Sequence, residues 1–97
     1  MKFEWDPEKD RANKSKHKVT FLEACYVFAD KYMLTFFDEE HSESEDRWVT
    51  IGQILNNKVL VVIHSFRKSK GKEAVRIISA RKATKHEETQ YFERRRR

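Results

Sequence analysis

The pattern of apolar and polar positions predicts two dissimilar helices in the first third of the chain. A short strand over residues 3–5 is followed by Asp6, which can cap a helix from Pro7 to about His17 with the proline at its first position. That helix contains a single apolar residue and must therefore lie on the surface. Thr20 and Glu23 have the spacing of a capping box, which begins a second helix that is short, apolar and buried.

After residue 31 the pattern becomes that of β-strands. Four runs rich in apolar and aromatic residues predict strands: 32–37, 47–55, 58–66 and 74–80. Asn56 and Asn57 tolerate positive φ and predict a two-residue hairpin turn between the second and third runs. An acidic loop (38–46), a basic turn (67–72) and a polar helix (82–93) complete the order. We therefore expect an α+β fold with an N-terminal helix pair, an antiparallel sheet of about four strands and a C-terminal helix.

The length and composition exclude several classes of protein. A chain of 97 residues suffices for one compact domain and excludes an enzyme with separate cofactor and substrate lobes. The longest apolar run, Val59 to Ile63, is too short to span a membrane, and the N-terminus lacks the apolar stretch of a signal peptide. Gly52 and Gly71 are the only glycines, so no glycine-rich phosphate loop is present. The lone Cys25 cannot form an internal disulfide, and we expect a cytoplasmic protein without a cofactor.

Charge is distributed unevenly along the chain. The net charge is +5, made up of +2 in residues 1–18, −5 in residues 19–63 and +8 in residues 64–97. The last segment ends in four consecutive arginines, and its positive potential suits a polyanion such as nucleic acid. The four arginines by themselves fit a solvated tail equally well.

Arg76 lies in the middle of the last predicted strand, where its charge needs a partner. Strand alternation places it on the face opposite Val75 and Ile77. Its guanidinium then meets either a carboxylate, for which Glu45 and Glu87 are the candidates, or the phosphate of a ligand.

Arg81 and Lys82 open the last predicted helix, where cations are unfavourable beside the positive end of the helix dipole. Together with Lys85 and the free backbone amides of the first turn, they predict an anion site that fits a phosphodiester. The alternative is that these side chains point into water.

The loop before the second predicted strand contains groups suited to proton transfer. His41 is a titratable base or acid, Glu45 is a carboxylate that could tune it, and Arg47 supplies a cation. A solvated acidic loop is the competing interpretation. The residues do not make a zinc ligand set. Binding of a hard cation by the three carboxylates Asp38, Glu39 and Glu43 stays open.

Three further candidates have ordinary structural explanations. His17 shares a helix face with Asn13 beside Lys16, and it either complements the helix dipole or takes part in chemistry. We expect His64 to be a satisfied histidine of the sheet and Cys25 to lie in the core.

Five sets of residues are typical of one protein family. They are 3–9 (FEWDPEK), Asn13 with Lys16 and His17, Phe21 with Glu23 and Ala24, the set Asp38, His41, Glu45 and Arg47, and above all 76–84 (RIISARKAT) followed by Glu87 and Tyr91. With these sets the sequence resembles the BrnT family of toxins from bacterial toxin–antitoxin pairs. The resemblance implies a RelE-like fold in a single domain, which we place at residues 1–93, followed by a basic tail at residues 94–97.

The resemblance also implies an activity and a partner. The activity is a metal-independent endoribonuclease that halts translation. The partner is a ribbon-helix-helix antitoxin of the BrnA type, expected in a heterotetramer that contacts DNA only through the antitoxin.

RelE-like ribonucleases commonly use Lys, Arg and Tyr more than a pair of histidines, so the identity of the general base stays open. From the needs of metal-free RNA cleavage we expect roles for ten residues. His41, tuned by Glu45, transfers the proton, and Arg47, Arg76 and Arg81 grip the phosphate. Five residues are expected to contact RNA elsewhere: Lys16, His17, Lys82, Lys85 and Tyr91. The competing hypothesis is a non-catalytic basic module that docks on an acidic protein or on nucleic acid.

Overall fold

The structure is a computed structural model that describes residues 1–96, with the side chain of Ser69 left aside. Three helices are present: α1 Pro7–His17, α2 Phe21–Cys25 and α3 Lys85–Arg95. Five strands are present: β1 Lys2–Glu4, β2 Leu34–Phe37, β3 Trp48–Gln53, β4 Val59–Ser69 and β5 Lys72–Lys82. Short 3-10 turns occupy Tyr26–Ala29, Glu39–His41 and Leu55–Asn57.

Local capping interactions begin both helices of the N-terminal pair, as the sequence predicts. The Asp6 carboxylate accepts a hydrogen bond from the Glu8 amide at 2.8 Å, with Pro7 in the first turn. The helix ends at Lys18, whose φ of 61° is left-handed. The predicted capping box of α2 is confirmed, because the Thr20 hydroxyl accepts from the Glu23 amide and the Glu23 side chain accepts from the Thr20 amide.

The sheet contains five strands in the order β1-β5-β4-β3-β2, one more than the four predicted. The additional member of the sheet is β1, the short strand predicted over residues 3–5, which pairs in parallel with β5, whereas the other neighbouring strands are antiparallel. The α+β class is therefore confirmed, but the sheet is mixed rather than purely antiparallel. The local sequence pattern cannot predict this pairing, since Phe3 and its partner Val75 are far apart in the sequence.

The two hairpins differ in detail from their predictions. Asn56 and Asn57 do have positive φ, but the turn spans residues 54–58 and is closed by a 2.8 Å bond from the Ile54 amide to the Lys58 carbonyl. The predicted basic turn is mostly strand. Only Lys70 and Gly71 form the connection between β4 and β5, both with positive φ.

The helices divide the sheet into two faces with separate cores. On the α1/α2 face, these helices cover Leu60, Val62, Val75, Ile77 and Ala80. On the α3 face, Tyr91 and Phe92 pack against alternate residues of β3 and β4, namely Val49, Ile51, Val59, Val61 and Ile63. Gly52 allows the 3-10 turn after α2 to approach β3 closely, because a Cβ at this position would lie 2.8 Å from Val27 Cγ1.

A β-bulge in β5 changes which side chains share a face. The pairing runs from Ile63 with Ser79 to His64 with Ile77, so Ile78 is the extra residue. Ile77 before the bulge and Ala80 after it both enter the core of the α1/α2 face. The bulge therefore places Ser79 on the opposite, α3 face.

Helix α3 extends through Arg95, two residues past the predicted end of the domain at residue 93. The Arg95 guanidinium stacks on Tyr32 with 4.8 Å from its central carbon to the ring centroid, and it donates to Gln53 at 2.6 Å. Arg94 and Arg95 are thus helical residues rather than a tail, and Arg97 lies outside the described residues. No helix in the described part of the chain is long and apolar enough to cross a membrane.

Candidate active site

A cavity of about 450 Å³ opens on the α3 face of the sheet. Apolar side chains of the central strands form its floor, including Val49, Val61 and Ile63. Polar and charged side chains surround the floor: Asp38, His41, Arg47, Ser79, Arg81 and Glu87. We call this cavity the groove. It brings together three of the five predicted catalytic residues, His41, Arg47 and Arg81.

His41 is held at the groove by Asp38 and not by Glu45. Its Nδ1 lies 3.0 Å and 3.2 Å from the two carboxylate oxygens of Asp38. The Asp38 side chain is 16% exposed and that of His41 is 64% exposed, so the carboxylate is sheltered while the imidazole reaches solvent. Glu45 is exposed and does not line the groove. The predicted His41–Glu45 pair is therefore wrong, because the 3-10 turn Glu39–His41 brings the residue three positions earlier beside the imidazole.

Ser42 holds the two ends of the acidic loop together, so that Arg47 lies beside Asp38 at the groove. The Ser42 hydroxyl donates to the Asp38 carbonyl at 2.5 Å and accepts from the Arg47 amide at 3.0 Å. The loop is closed by a 2.9 Å bond from the Asp38 amide to the Arg47 carbonyl. The Nε of Arg47 is buried and has no hydrogen-bond partner among the described residues. Such a donor is costly unless a ligand or solvent satisfies it.

Arg81 is engaged with Glu87 in a two-point ion pair. Its Nη1 and Nη2 lie 2.8 Å and 2.9 Å from the two carboxylate oxygens. The hydrogen bonds from Arg81 lower the pKa of Glu87 to about 2, and the same contact holds the pKa of Arg81 above its ordinary value. The pair joins the end of β5 to the first turn of α3 at the groove.

The start of α3 differs from the predicted anion site. Arg81 and Lys82 end β5 rather than opening a helix, and Thr84 is the N-cap. The Thr84 hydroxyl accepts from the Glu87 amide, and Glu87 accepts from the Thr84 amide at 2.8 Å. The capping box therefore uses amides that the prediction assigned to a phosphate.

Arg76 lies outside the groove and pairs with an acidic residue that the sequence did not indicate. Its Nη1 is 3.6 Å from the Glu4 carboxylate on the neighbouring strand β1. The pair follows from the parallel pairing of β1 with β5, in which Glu4 stands directly beside Arg76. The predicted partners Glu45 and Glu87 are therefore wrong, and the residue joins two strands.

The five predicted RNA-contacting residues are scattered over the molecule. Lys16 and His17 end α1 on the other face of the sheet. Lys82 ends β5 and Lys85 begins α3; both are exposed, and none of these four residues lines the groove. Tyr91 is fully buried, and its hydroxyl donates to Asp30. Burial followed by the bond to Asp30 raises the pKa of Tyr91 to about 12. A direct contact of Tyr91 with RNA does not fit this position.

Asn13 has a structural role on the α1/α2 face. Its amide nitrogen donates to the Val19 and Ala80 carbonyls at 2.9 Å and 2.8 Å, and its oxygen accepts from the Ala80 amide at 3.1 Å. These bonds fix α1 to β5. Asn13 is therefore a buried polar residue in a helix that otherwise faces solvent, and these hydrogen bonds explain its burial.

Sequence reasoning missed two partners in the groove, Asp38 of His41 and Glu87 of Arg81. The spacing of three residues between Asp38 and His41 was the available signal for the first. Among the described residues, no group of three or more His, Cys, Asp or Glu side chains is arranged to hold a metal ion.

Two comparisons with known proteins bear on the class of this protein. The family model described as the ribonuclease toxin BrnT of type II toxin–antitoxin systems matches residues 5–87. The 1.1 Å crystal structure of the Brucella abortus ribonuclease toxin BrnT is similar, with a TM-score of 0.63 and 27% sequence identity over 88% of this chain and 99% of that chain. No curated protein matches the chain significantly.

The fold and these similarities define a ribonuclease toxin of a type II toxin–antitoxin system. Within that class, the chain belongs to the BrnT family. The resemblance carried by the strings around residues 3–9 and 76–84 is thus confirmed. Membership of a type II system also implies an antitoxin as partner.

Proposed function

We propose that the groove cleaves RNA without a metal ion. The observation that carries the proposal is that an acid–base pair and an arginine line the same cavity. Asp38 orients His41, and the buried Nε of Arg47 has no partner among the described residues. A phosphodiester in the groove would accept from that donor. The apolar floor offers a surface on which a base can lie.

Three steps of the reaction fit these residues. His41 takes the proton of the 2′-hydroxyl, whose oxygen then attacks the adjacent phosphorus. Arg47 stabilises the additional negative charge on the phosphorane. The bond from phosphorus to the 5′-oxygen breaks, a 2′,3′-cyclic phosphate forms, and the leaving oxygen takes a proton from water in the open groove. Asp38 orients the imidazole and stabilises its charged form, as the carboxylate of a catalytic triad does.

Arg81 has a secondary place in this mechanism. Its observed hydrogen bonds to Glu87 and to the Lys82 carbonyl use three of the five N–H donors of a guanidinium. The remaining donors are available to a phosphate oxygen, while Glu87 offsets most of the charge. We therefore assign the main phosphate contact to Arg47 and a positioning role to Arg81.

The test is cleavage of a defined RNA in the presence of EDTA, with the ends of the products identified. We expect 2′,3′-cyclic phosphate ends, and we expect His41→Asn and Arg47→Gln each to lower the rate by roughly a hundredfold. Glu45→Gln is the matched control, because this exposed carboxylate lies in the same loop without contacting His41. It should retain full activity.

Two results would contradict the proposal. A strict requirement for a divalent ion would overturn the metal-independent mechanism. Complete absence of cleavage by a folded preparation of the unaltered chain would favour the non-catalytic binding module instead.

We further propose that a ribbon-helix-helix antitoxin neutralises the chain. Ribbon-helix-helix proteins are two-fold dimers, so two copies of this chain on one antitoxin dimer would give a heterotetramer. DNA binding would belong to the antitoxin. Light scattering on the co-expressed pair measures the stoichiometry, and specific operator binding by this chain alone would contradict the assignment.

A further inference from the structure

Strand β4 extends beyond the strand that covers its outer edge. Strand β3 pairs with β4 from Val59 to His64, and the segment from Ser65 onwards pairs only with β5. Outside the strand ladders, no backbone hydrogen bond of residues 1–96 reaches residues 65–68. We call residues 65–68 the free edge.

The free edge offers both donors and acceptors of main-chain hydrogen bonds. In an antiparallel pair, every second residue turns its N–H and its C=O away from its partner strand. The β3 side of the free edge therefore has a row of backbone groups that another extended chain can pair with. A polyanion such as RNA supplies acceptors but no comparable row of donors, so this geometry favours a peptide strand.

Exposed aromatic side chains stand next to the free edge. Phe66 is 51% exposed and packs edge-to-face against Trp48 at 5.7 Å between ring centroids. Trp48 in turn packs edge-to-face against Phe37 at 5.2 Å, and Phe37 is 40% exposed. These rings give an added strand an apolar surface on one of its two faces, since alternate side chains of a strand point to the same face.

The positive charge of the β4–β5 hairpin indicates which kind of strand would pair with the free edge. Residues 65–75 contain four basic residues and one acidic residue: Arg67, Lys68, Lys70, Lys72 and Glu73. A second copy of this chain would bring the same positive charges against each other, and basic residues on an edge strand oppose such self-pairing. An acidic strand is complementary.

We propose that the free edge binds an extended segment of a protein partner, in which acidic and apolar side chains alternate, as an added strand of the sheet. The apolar side chains would lie beside Phe66 and Trp48 on one face, and the acidic ones beside Arg67 on the other. Lys68 shares the face of Phe66 and adds to the positive potential along the edge. An antitoxin is the partner that a type II system implies, and such a segment would belong to it. The proposal is independent of cleavage, because the residues that carry it do not line the groove.

The test is NMR of the isotope-labelled full chain titrated with a short, capped peptide in which valine and glutamate alternate. We expect the amides of Phe66, Arg67 and Lys68 to shift, and we expect those of alternate residues, which turn away from β5, to exchange more slowly with solvent. The double variant Arg67→Glu/Lys68→Glu should bind the peptide at least roughly tenfold more weakly. The matched control is Lys9→Glu/Lys14→Glu, the same change of charge on exposed positions of α1, which should bind as the unaltered chain does.

Four outcomes would overturn the proposal. The first is absence of any shift at these amides at millimolar peptide. The second is equal binding of a peptide in which lysine replaces glutamate. The third is that an uncleavable 2′-O-methyl oligoribonucleotide, and not the peptide, moves these amides. The fourth is that they become protected with rising protein concentration alone, which would indicate pairing between two copies of the chain.

Discussion

His64 lies inside the sheet with only one of its ring nitrogens hydrogen bonded. Its Nε2 is 2.7 Å from the Thr50 hydroxyl, which is in turn 2.8 Å from the Thr35 hydroxyl. Its Nδ1 is buried and has no partner among the described residues, and the edges of Phe28 and Phe66 surround the ring. Burial lowers the pKa of His64 to about 4. The predicted satisfied histidine is therefore only half satisfied.

This burial makes stability depend on pH. The folded-state pKa lies below the ordinary value of 6.5, so the unfolded chain binds the proton first as pH falls. The contribution is complete above pH 6.5 and is lost as the pH falls towards 4, for a total of roughly 3 kcal/mol in the free energy of unfolding. Urea unfolding at a series of pH values measures it.

The matched variant is His64→Phe, which keeps an aromatic ring between Phe28 and Phe66. It should show a smaller decrease in stability between pH 6.5 and 4 than the unaltered chain. Equal slopes for the two proteins in this interval would show that other groups cause the decrease.

At the scale of elements, two contacts dock α3 on the sheet. The first is the Arg81–Glu87 pair at its start. The second is at its other end, where Asp30 accepts hydrogen bonds from the Tyr91 hydroxyl and from the Tyr32 and Gln53 amides. Burial acts to raise the pKa of Asp30, but these donors and the charge of Arg95 outweigh it and hold the pKa below its usual value.

The roles of Arg81 in structure and in cleavage can be separated with two variants. Arg81→Ala and Glu87→Gln both break the ion pair, so each should lower the free energy of unfolding by roughly 1–2 kcal/mol. Only Arg81→Ala also removes donors from the groove, and its cleavage rate should fall at least roughly tenfold below that of Glu87→Gln. Denaturant unfolding and RNA cleavage of both variants provide the comparison. Equal rates would assign Arg81 to structure alone.

The substitution Gly52→Ala tests the close approach between β3 and the 3-10 turn after α2. An alanine Cβ there would lie 2.8 Å from Val27 Cγ1 and 3.1 Å from the Val27 carbonyl oxygen. Gly52→Ala should therefore destabilise the protein by roughly 1–3 kcal/mol through overpacking. Thermal unfolding measures the change as a decrease in Tm.

Gly71→Ala is the comparison for Gly52→Ala. Gly71 has a φ of +76° and open space around its position, so its cost comes from backbone conformation alone, at roughly 1 kcal/mol. A larger loss at Gly71 than at Gly52 would contradict the packing argument.

For the molecule as a whole, the uneven charge predicts how RNA binding responds to salt. Residues 64–97 carry +8, while residues 19–63 carry −5. Binding of RNA to the inactive His41→Asn variant should weaken steeply and log-linearly with salt concentration, because counterions are released from the phosphates. Fluorescence anisotropy at several salt concentrations measures the slope. Affinity that does not change with salt would contradict an electrostatic mode of binding.

The helix ends could be predicted because their causes are local. The Asp6 cap and the Thr20–Glu23 capping box each involve residues no more than three positions apart, so a string of letters contains both partners. The strand-like runs were recognisable for the same reason. The Asp38–His41 contact was also local, but the 3-10 turn that forms it has no comparably strong sequence signal.

The tertiary structure alone decided which distant residues meet. Parallel pairing of β1 with β5 makes Glu4 the partner of Arg76, 72 positions away, and no local pattern encodes that choice. The bulge at Ile78 places Ser79 in the groove, and its position depends on the register of two strands. Sequence by itself thus determined most of the elements, the α+β class and the family resemblance. Strand pairing, which depends on the packing of the whole sheet, determined which charges are paired and which line the groove.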